Sequence, residues 1–111
     1  MGGPAAPVQE TVLYQGVCLK RENSFDTVAG DCVITQVGMY YYSRKAFRDQ
    51  TGKKQPDFIV YSRDVAEIRT SHKNMNKVME LYMRDGSCLE FYSPKFAKML
   101  EAMQQAVYGG R

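Results

Sequence analysis

In the second half of the chain, the spacing of apolar residues changes once, from every second residue to every third or fourth. This change constrains the fold more than any other feature of the sequence. Apolar and polar residues alternate over 79–92, which predicts two β-strands, and Asp85-Gly86 between them predicts a tight hairpin turn in which both residues have positive φ. After Ser93, a good helix N-cap, apolar residues recur every three or four positions as far as Val107. The chain is therefore expected to end in a β-hairpin followed by an amphipathic helix of about 14 residues.

The residues before this hairpin are also typical of β-structure. Strands are predicted at Val12–Lys20, Asp31–Val37, Met39–Ser43, Asp57–Ser62 and Val65–Thr70. Polar connections are predicted at Arg21–Gly30, Arg44–Pro56 and Ser71–Lys77. A short helix is marginal on its own, so its apolar face must be buried against the strands. The sequence therefore predicts a mainly β fold, a seven-stranded bent antiparallel barrel or sandwich capped by one C-terminal helix.

Length and composition set the remaining bounds on the chain. Its 111 residues suffice for one domain, and 44% hydrophobic with 12% aromatic residues excludes wholesale disorder. We expect a flexible leader at 1–10, a folded domain at 11–108 and a flexible tail at 109–111. No apolar run approaches the roughly 20 residues of a membrane span, and the first residues lack the features of a secretion signal. These observations predict a cytoplasmic protein without a transmembrane segment.

Residues that could support catalysis or metal binding are sparse. His72 is the one histidine and has no Asp, Glu or Cys at ligand spacing, and the common nucleophile, phosphate-loop and zinc-protease motifs do not occur. Cys18, Cys32 and Cys88 lie in predicted strands and form no C-x-x-C pair, which predicts buried, reduced thiols. We therefore expect no enzyme activity, no cofactor and no metal site.

Four stretches of the chain, taken in order, have a pattern in common with one family. Leu13–Lys20 has a glycine among alternating apolar residues and a final lysine, and Val37–Ser43 reads Val-Gly-Met-Tyr-Tyr-Tyr-Ser. Arg84–Phe91 is the predicted hairpin, and Ser93–Tyr108 is the closing helix. They resemble strand 1, strand 3, the strand 6–7 hairpin and the final helix of the pleckstrin-homology (PH-like) superfamily, which includes GRAM-type and phosphotyrosine-binding domains. The resemblance implies a capped, bent β-barrel that acts as a non-enzymatic recognition module.

Within this resemblance, basic residues are expected to bind lipid. The connection 44–54 holds five basic residues and one acidic residue, whereas the net charge of the whole chain is +3. In PH-like domains this connection lies at the open end of the barrel, beside the end of strand 1. The residues expected to form one basic rim there are Lys20, Arg21, Arg44, Lys45, Arg48, Lys53 and Lys54. Because the predicted strand 2 carries no basic residue, we expect weak binding of anionic phospholipid or phosphoinositide at a peripheral membrane surface.

A second, weaker basic cluster precedes strand 6. It comprises Arg69, His72, Lys73 and Lys77, around the predicted connection Ser71–Lys77. Some PH-like domains bind lipid on this side, but a charged, solvated loop is the preferred interpretation.

An interaction with a protein is the alternative function. Phosphotyrosine-binding relatives add a peptide as an extra strand between strand 5 and the closing helix. In this sequence, that edge would be formed by Val65, Ala66, Glu67, Ile68 and Arg69. The chain would then serve as a scaffold or adaptor. Nucleic acid is not an expected partner, because sheets that bind it spread aromatic residues over neighbouring strands and usually carry a stronger positive field. Here the three tyrosines are consecutive, at 40–42.

Overall fold

Seven antiparallel strands and one C-terminal helix make up residues 9–22, 27–43 and 55–109, which are the residues described by the computed structural model. The elements are β1 (Val12–Arg21), β2 (Thr27–Thr35), β3 (Gly38–Ser43), β4 (Phe58–Tyr61), β5 (Val65–Lys73), β6 (Asn76–Met83), β7 (Cys88–Tyr92) and α1 (Phe96–Tyr108). The strands form one sheet in the order β4-β3-β2-β1-β7-β6-β5. The prediction of a mainly β fold with seven strands and one closing helix is confirmed.

The sheet is strongly curled, as contacts between distant strands show. In a flat sheet β4 and β7 would be four strand spacings apart, about 19 Å. Instead, the ring centroid of Phe58 on β4 lies 6.4 Å from that of Phe91 on β7, and Tyr41 on β3 lies 6.1 Å from the same ring. α1 contacts β1, β2, β3 and β6, so it packs against both halves of the curled sheet.

One face of α1 completes the core. Its buried residues are Met99, Ala102, Met103, Ala106 and Val107. Phe96 and Leu100, also on the predicted apolar stripe, are partly buried and pack against the same core. α1 has 13 residues, and no helix within the described ranges is long and apolar enough to cross a membrane.

Ser93 differs slightly from its predicted role as the helix N-cap. The helix begins at Phe96, and the Ser93 hydroxyl oxygen accepts a hydrogen bond from the Lys95 N–H at 3.0 Å. The same hydroxyl lies 3.1 Å from the Tyr14 hydroxyl, and both groups are buried. Ser93 therefore ties the approach to α1 onto β1, just before the first helical turn.

β2 starts earlier than predicted. The expected connection Arg21–Gly30 is wrong from Thr27 onward, because the chain there already pairs with β1. Gly30 lies inside the strand, where a Cβ atom would come within 2.9 Å of the Tyr41 ring. The Tyr41 hydroxyl donates a hydrogen bond to the Val28 carbonyl oxygen at 2.6 Å. Glycine here makes room for a buried tyrosine and does not mark a turn.

The predicted connection Ser71–Lys77 is also wrong, because it forms the tip of a hairpin. β5 and β6 are joined by two residues, Asn74 and Met75, whose φ values are 51° and 67°. Positive φ at both positions is typical of the type I′ turns that match the twist of paired strands. Sequence reasoning missed this turn because methionine is not a residue that favours positive φ.

The β6–β7 hairpin is present, but its turn differs from the prediction. Of Asp85 and Gly86, only Gly86 has positive φ, at 94°. The Gly86 N–H donates to the Met83 carbonyl at 3.0 Å, and the Met83 N–H donates to the Ser87 carbonyl at 2.8 Å. This is the pattern of a three-residue loop with a glycine bulge. Hydrogen bonds from the Ser87 hydroxyl and N–H lower the pKa of Asp85.

Gln9 and Glu10, the last two residues of the predicted leader, are held against the β2–β3 turn. The Glu10 carboxylate accepts hydrogen bonds from the Thr35 hydroxyl at 2.8 Å and from the Tyr40 hydroxyl at 2.5 Å. The Gln36 side-chain amide donates to the Gln9 carbonyl oxygen at 2.9 Å. These two residues therefore belong to the folded unit.

The Tyr40–Glu10 hydrogen bond predicts a pH dependence of stability. The bond to the carboxylate raises the pKa of Tyr40 to about 12, above its ordinary value of 10.0. Because the folded-state pKa is the higher one, the contribution to stability is fully present below pH 10 and is lost between pH 10 and pH 12. At pH 8, Tyr40→Phe should lower the free energy of unfolding by about 1 kcal/mol, since the bond is partly exposed.

Urea unfolding of both proteins across this pH range measures the effect. The difference between wild type and Tyr40→Phe should shrink as the pH rises through the pKa of Tyr40. If the difference in unfolding free energy stays constant with pH, the Tyr40–Glu10 hydrogen bond makes no pH-dependent contribution to stability.

Candidate functional site

The end of β1 carries the two predicted lipid-binding residues that the structure describes. Lys20 and Arg21 are consecutive in a strand, so their side chains point to opposite faces. Lys20 Nζ lies 6.0 Å from the ring centroid of Phe58 and 3.2 Å from Glu22 Oε2. Arg21 Nε lies 3.0 Å from Glu90 Oε1 on the outer face. The two side chains therefore leave β1 on opposite faces, and each is paired with a carboxylate.

An ion-pair cluster crosses the outer face of four strands. Glu90 on β7 pairs with Arg21 and, at 2.7 Å, with Lys73 Nζ on β5. Lys73 Nζ also lies 3.4 Å from Glu80 Oε2 on β6. The hydrogen bond to Glu90 is the main reason that the pKa of Lys73 is raised. We call Arg21, Lys73, Glu80 and Glu90 the outer cluster.

A shallow cleft of about 340 Å³ lies beside the outer cluster. It is lined by Lys20, Arg21, Glu22, Lys73, Cys88, Leu89 and Glu90. Its cations are paired with carboxylates, so an anion entering this β1–β7 cleft must compete with Glu22 and Glu90 for them. This arrangement favours weak binding of a phosphate group. Each charge-assisted hydrogen bond that the phosphate makes to one of these cations competes with the bond that the cation already makes to a carboxylate.

The remaining five predicted rim residues, Arg44, Lys45, Arg48, Lys53 and Lys54, lie outside the described residues. The residues that flank their segment are placed. Ser43 pairs with Gly30, which in turn pairs with Cys18, two positions before Lys20. The Ser43 N–H also donates to Asp57 Oδ1 at 3.4 Å, so the two ends of the segment lie close together. Ser43, the last described residue before that segment, therefore lies near the end of β1 that carries Lys20.

The predicted peptide-binding edge, β5, is an edge strand of the sheet. Its first residue, Val65, is fully buried, and Ala66 lies at the β-bulge that follows. Glu67 and Arg69 are exposed and form an ion pair at 2.9 Å. The edge therefore offers charged side chains to an added strand.

The last residue of α1 reaches the same edge. The backbone N–H of Ile68 donates a hydrogen bond to the Tyr108 hydroxyl at 2.8 Å. An added peptide strand would use such outward N–H groups, so it would have to displace Tyr108 at this position.

Two of the three cysteines are buried as predicted, and the third is not. Cys18 and Cys32 are fully buried, and the hydrogen bond between them, together with burial, raises the pKa of Cys18. The prediction is wrong for Cys88, which is exposed because it lies on the outer face of β7, opposite Tyr82. Over the described ranges, no three His, Cys, Asp or Glu residues are grouped to hold a metal ion.

Neither a family model nor a curated protein matches this sequence. Solved structures match its fold. The C-terminal domain of an unknown protein from Leishmania infantum aligns with a TM-score of 0.68 at 14% identity, covering 89% of this chain and 85% of that one. The C-terminal PH domain of human pleckstrin aligns with a TM-score of 0.67 at 14% identity, covering 97% of each chain. The chain has the PH-like fold.

One of the PH-like neighbours was solved with a ligand. The C-terminal PH domain of pleckstrin in complex with D-myo-Ins(1,2,3,5,6)P5 aligns with a TM-score of 0.62 at 13% identity, covering 89% of this chain and 98% of that one. At such identities the likeness concerns the fold. It confirms the capped PH-like barrel that the sequence resemblance implied.

Sequence reasoning missed the outer cluster on this PH-like sheet. Glu80 and Glu90 are directly opposite each other on β6 and β7. Two carboxylates in such a cross-strand pair repel each other, so they need a cation nearby. Lys73 supplies it from the third strand of the same face. The alternating pattern puts both carboxylates on the outer face, but a two-residue turn at Asp85-Gly86 would not place Glu80 opposite Glu90.

Proposed function

We propose that this chain is a non-enzymatic PH-like recognition module that binds anionic membrane surfaces weakly and reversibly. The observation that carries the proposal is the end of β1, where Lys20 and Arg21 border the β1–β7 cleft and Ser43, which precedes the basic segment 44–54 in the sequence, lies nearby. Each basic residue near an anionic leaflet contributes about 1 kcal/mol, which the paired carboxylates reduce for Lys20 and Arg21. A PH-like neighbour bound to an inositol phosphate is consistent with phosphate recognition by this fold.

The proposal places the protein in the cytoplasm, in reversible contact with a membrane. A non-catalytic role is supported by the titratable groups that the structure describes. His72 is exposed, and the raised pKa of Cys18 keeps a buried thiol protonated at neutral pH.

Co-sedimentation with vesicles tests the function. Vesicles of phosphatidylcholine with phosphatidylserine or phosphoinositide should pellet the protein at low salt, and pure phosphatidylcholine vesicles should not. High salt should release it, because exposed charges are screened. Lys53→Glu/Lys54→Glu should weaken binding at least about tenfold, since several favourable charge contacts are lost.

A matched variant separates local from overall charge. Lys95, just before α1, and Lys98, on α1, are exposed and do not line the β1–β7 cleft. Lys95→Glu/Lys98→Glu changes the net charge equally. This control should retain most of the binding. Equal losses in the two variants, or no pelleting of wild type at low salt, would overturn the proposal.

A protein-binding adaptor is the second candidate, because β5 is an edge strand of the sheet. The Ile68–Tyr108 hydrogen bond competes with an added strand at one position. This bond satisfies an edge N–H with a side chain, which a peptide strand can replace. Tyr108→Phe removes the competing acceptor. If β5 is the binding site, the variant should bind peptide partners more tightly while its vesicle binding stays unchanged.

A further inference from the structure

We propose that the tip of the β5–β6 hairpin inserts Met75 into the anionic lipid surface, an inference that rests on the proposed function. Met75 is 99% exposed, so its side chain has almost no packing within the chain. It is far more exposed than the other large apolar residues found on the surface of the described part, of which Val12 at 55% is the next. Transfer of such a side chain out of water is favourable.

The backbone at the tip gives a second reason. Met75 has φ of 67°, in the left-handed region where a residue with a Cβ atom is strained. Glycine would satisfy the same turn without that strain. Neither local conformation nor packing within the chain favours methionine here. Strain of this kind, retained at an exposed position, points to an interaction outside the chain.

The charges around the tip identify the partner as an anionic lipid surface. From Thr70 to Met79 the sequence carries Lys73, Lys77 and His72 and no acidic residue, and of these Lys73 is paired with Glu80 and Glu90 of the outer cluster. Lys77 and His72 are exposed and directly opposite each other on the two strands. An exposed apolar side chain flanked by basic residues is suited to an anionic leaflet. The apolar group can enter the acyl boundary while the basic groups contact the headgroups.

The base of the tip borders the cleft of the proposed lipid-binding site. Lys73, the last residue of β5, lines the β1–β7 cleft together with Lys20 and Arg21. The proposal therefore has a membrane that reaches the cleft also contact the hairpin. Insertion of Met75 would add apolar binding energy to a contact that is otherwise weak and electrostatic.

Fluorescence of a single tryptophan tests the insertion. The chain contains no tryptophan, so Met75→Trp introduces a unique reporter at the tip. Vesicles that contain phosphatidylserine should shift its emission to the blue, and lipids brominated on the acyl chain should quench it. Val12→Trp is the control, because Val12 lies about 26 Å along β1 from Lys20. Its emission should stay unchanged.

Two further substitutions separate insertion from folding. Met75→Ser should weaken vesicle binding about fivefold or more, because an apolar contact is lost. Met75→Gly should weaken binding similarly while raising the melting temperature by about 2–4 °C, since backbone strain is relieved. Loss of affinity together with a gain in stability cannot be explained by misfolding.

The outcomes distinguish this inference from the function on which it rests. If wild type binds anionic vesicles but the tryptophan at position 75 remains in water and Met75→Ser binds normally, the inference is wrong and the proposed function stands. If wild type binds no vesicles, both are wrong. A blue shift with quenching, together with weaker binding of Met75→Ser and Met75→Gly, supports the insertion.

Discussion

Gly38→Ala should lower the free energy of unfolding by about 3–5 kcal/mol, because it adds steric overlap to backbone strain. Gly38 has φ of 155° and begins β3, where it pairs with Thr35 on one side and Tyr61 on the other. A Cβ atom at this position would overlap the Val60 carbonyl oxygen. Since β2 and β4 hold Gly38 from both sides, the overlap can be relieved only by separating strands.

Gly86→Ala is the matched control for this prediction. Gly86 also has positive φ, at 94°, but a Cβ atom there would have no heavy atom within 4 Å. The control should cost only about 1 kcal/mol, from backbone strain alone. Urea unfolding monitored by circular dichroism measures both variants. Equal losses of stability would show that the close approach of β4 to Gly38 is not a constraint on the fold.

Met103→Ala should also be strongly destabilising, by about 2–5 kcal/mol, because it leaves a cavity beneath the helix. Met103 is fully buried on the face of α1 that packs against both halves of the sheet. A loss of this size is a large part of the stability of a typical domain. The variant should therefore unfold at a much lower urea concentration, with strands and helix lost in one transition.

The neighbouring residue provides the control for the helix. Gln104 is exposed on the same turn of α1, and Gln104→Ala removes side-chain atoms without opening a cavity. We expect it to change the stability by less than about 0.5 kcal/mol. If Met103→Ala behaved like Gln104→Ala, or if the helix melted before the strands, α1 would not be closing the barrel.

The closing helix could be predicted because its signal is local. Apolar residues at spacings of three and four define the buried face directly, and Met99, Met103 and Val107 are all buried as this pattern predicts. The start of the helix was less certain because Ser93 also bonds to Tyr14, which lies 79 residues earlier in the chain. No local pattern reports a partner at that distance.

The β6–β7 hairpin was predicted correctly, but its turn was not. A two-residue turn at Asp85-Gly86 would pair Leu81 with Glu90, an apolar residue with an acidic one. The structure pairs Leu81 with Leu89 because the loop has three residues. The alternation of the strands already favoured this register, since opposite residues lie on the same face of a sheet. The apolar alternation and the Asp-Gly turn motif therefore favour different registers, and the structure has the register that the alternation favours.

The candidate site could be predicted only in part, because it depends on strand neighbours that are distant in sequence. Lys20 and Arg21 are predicted from their charge, but the ion pair of Arg21 with Glu90 follows from the pairing of β1 with β7. Methionine is not typical of turns, so the sequence predicts only a polar connection, Ser71–Lys77, around Met75. Its exposure became visible only once β5 and β6 were paired.

Mapping the lipid contact residue by residue is the strongest test of the proposed function. Two-dimensional NMR of isotope-labelled protein, titrated with nanodiscs that contain phosphatidylserine, reports which backbone amides change their environment. We expect chemical shift changes at Lys20 and Arg21, in the basic segment 44–54 and at Met75, with Ile68 unaffected. Changes confined to Ile68 and its neighbours on β5, or no changes at all at low salt, would contradict lipid binding at the end of β1.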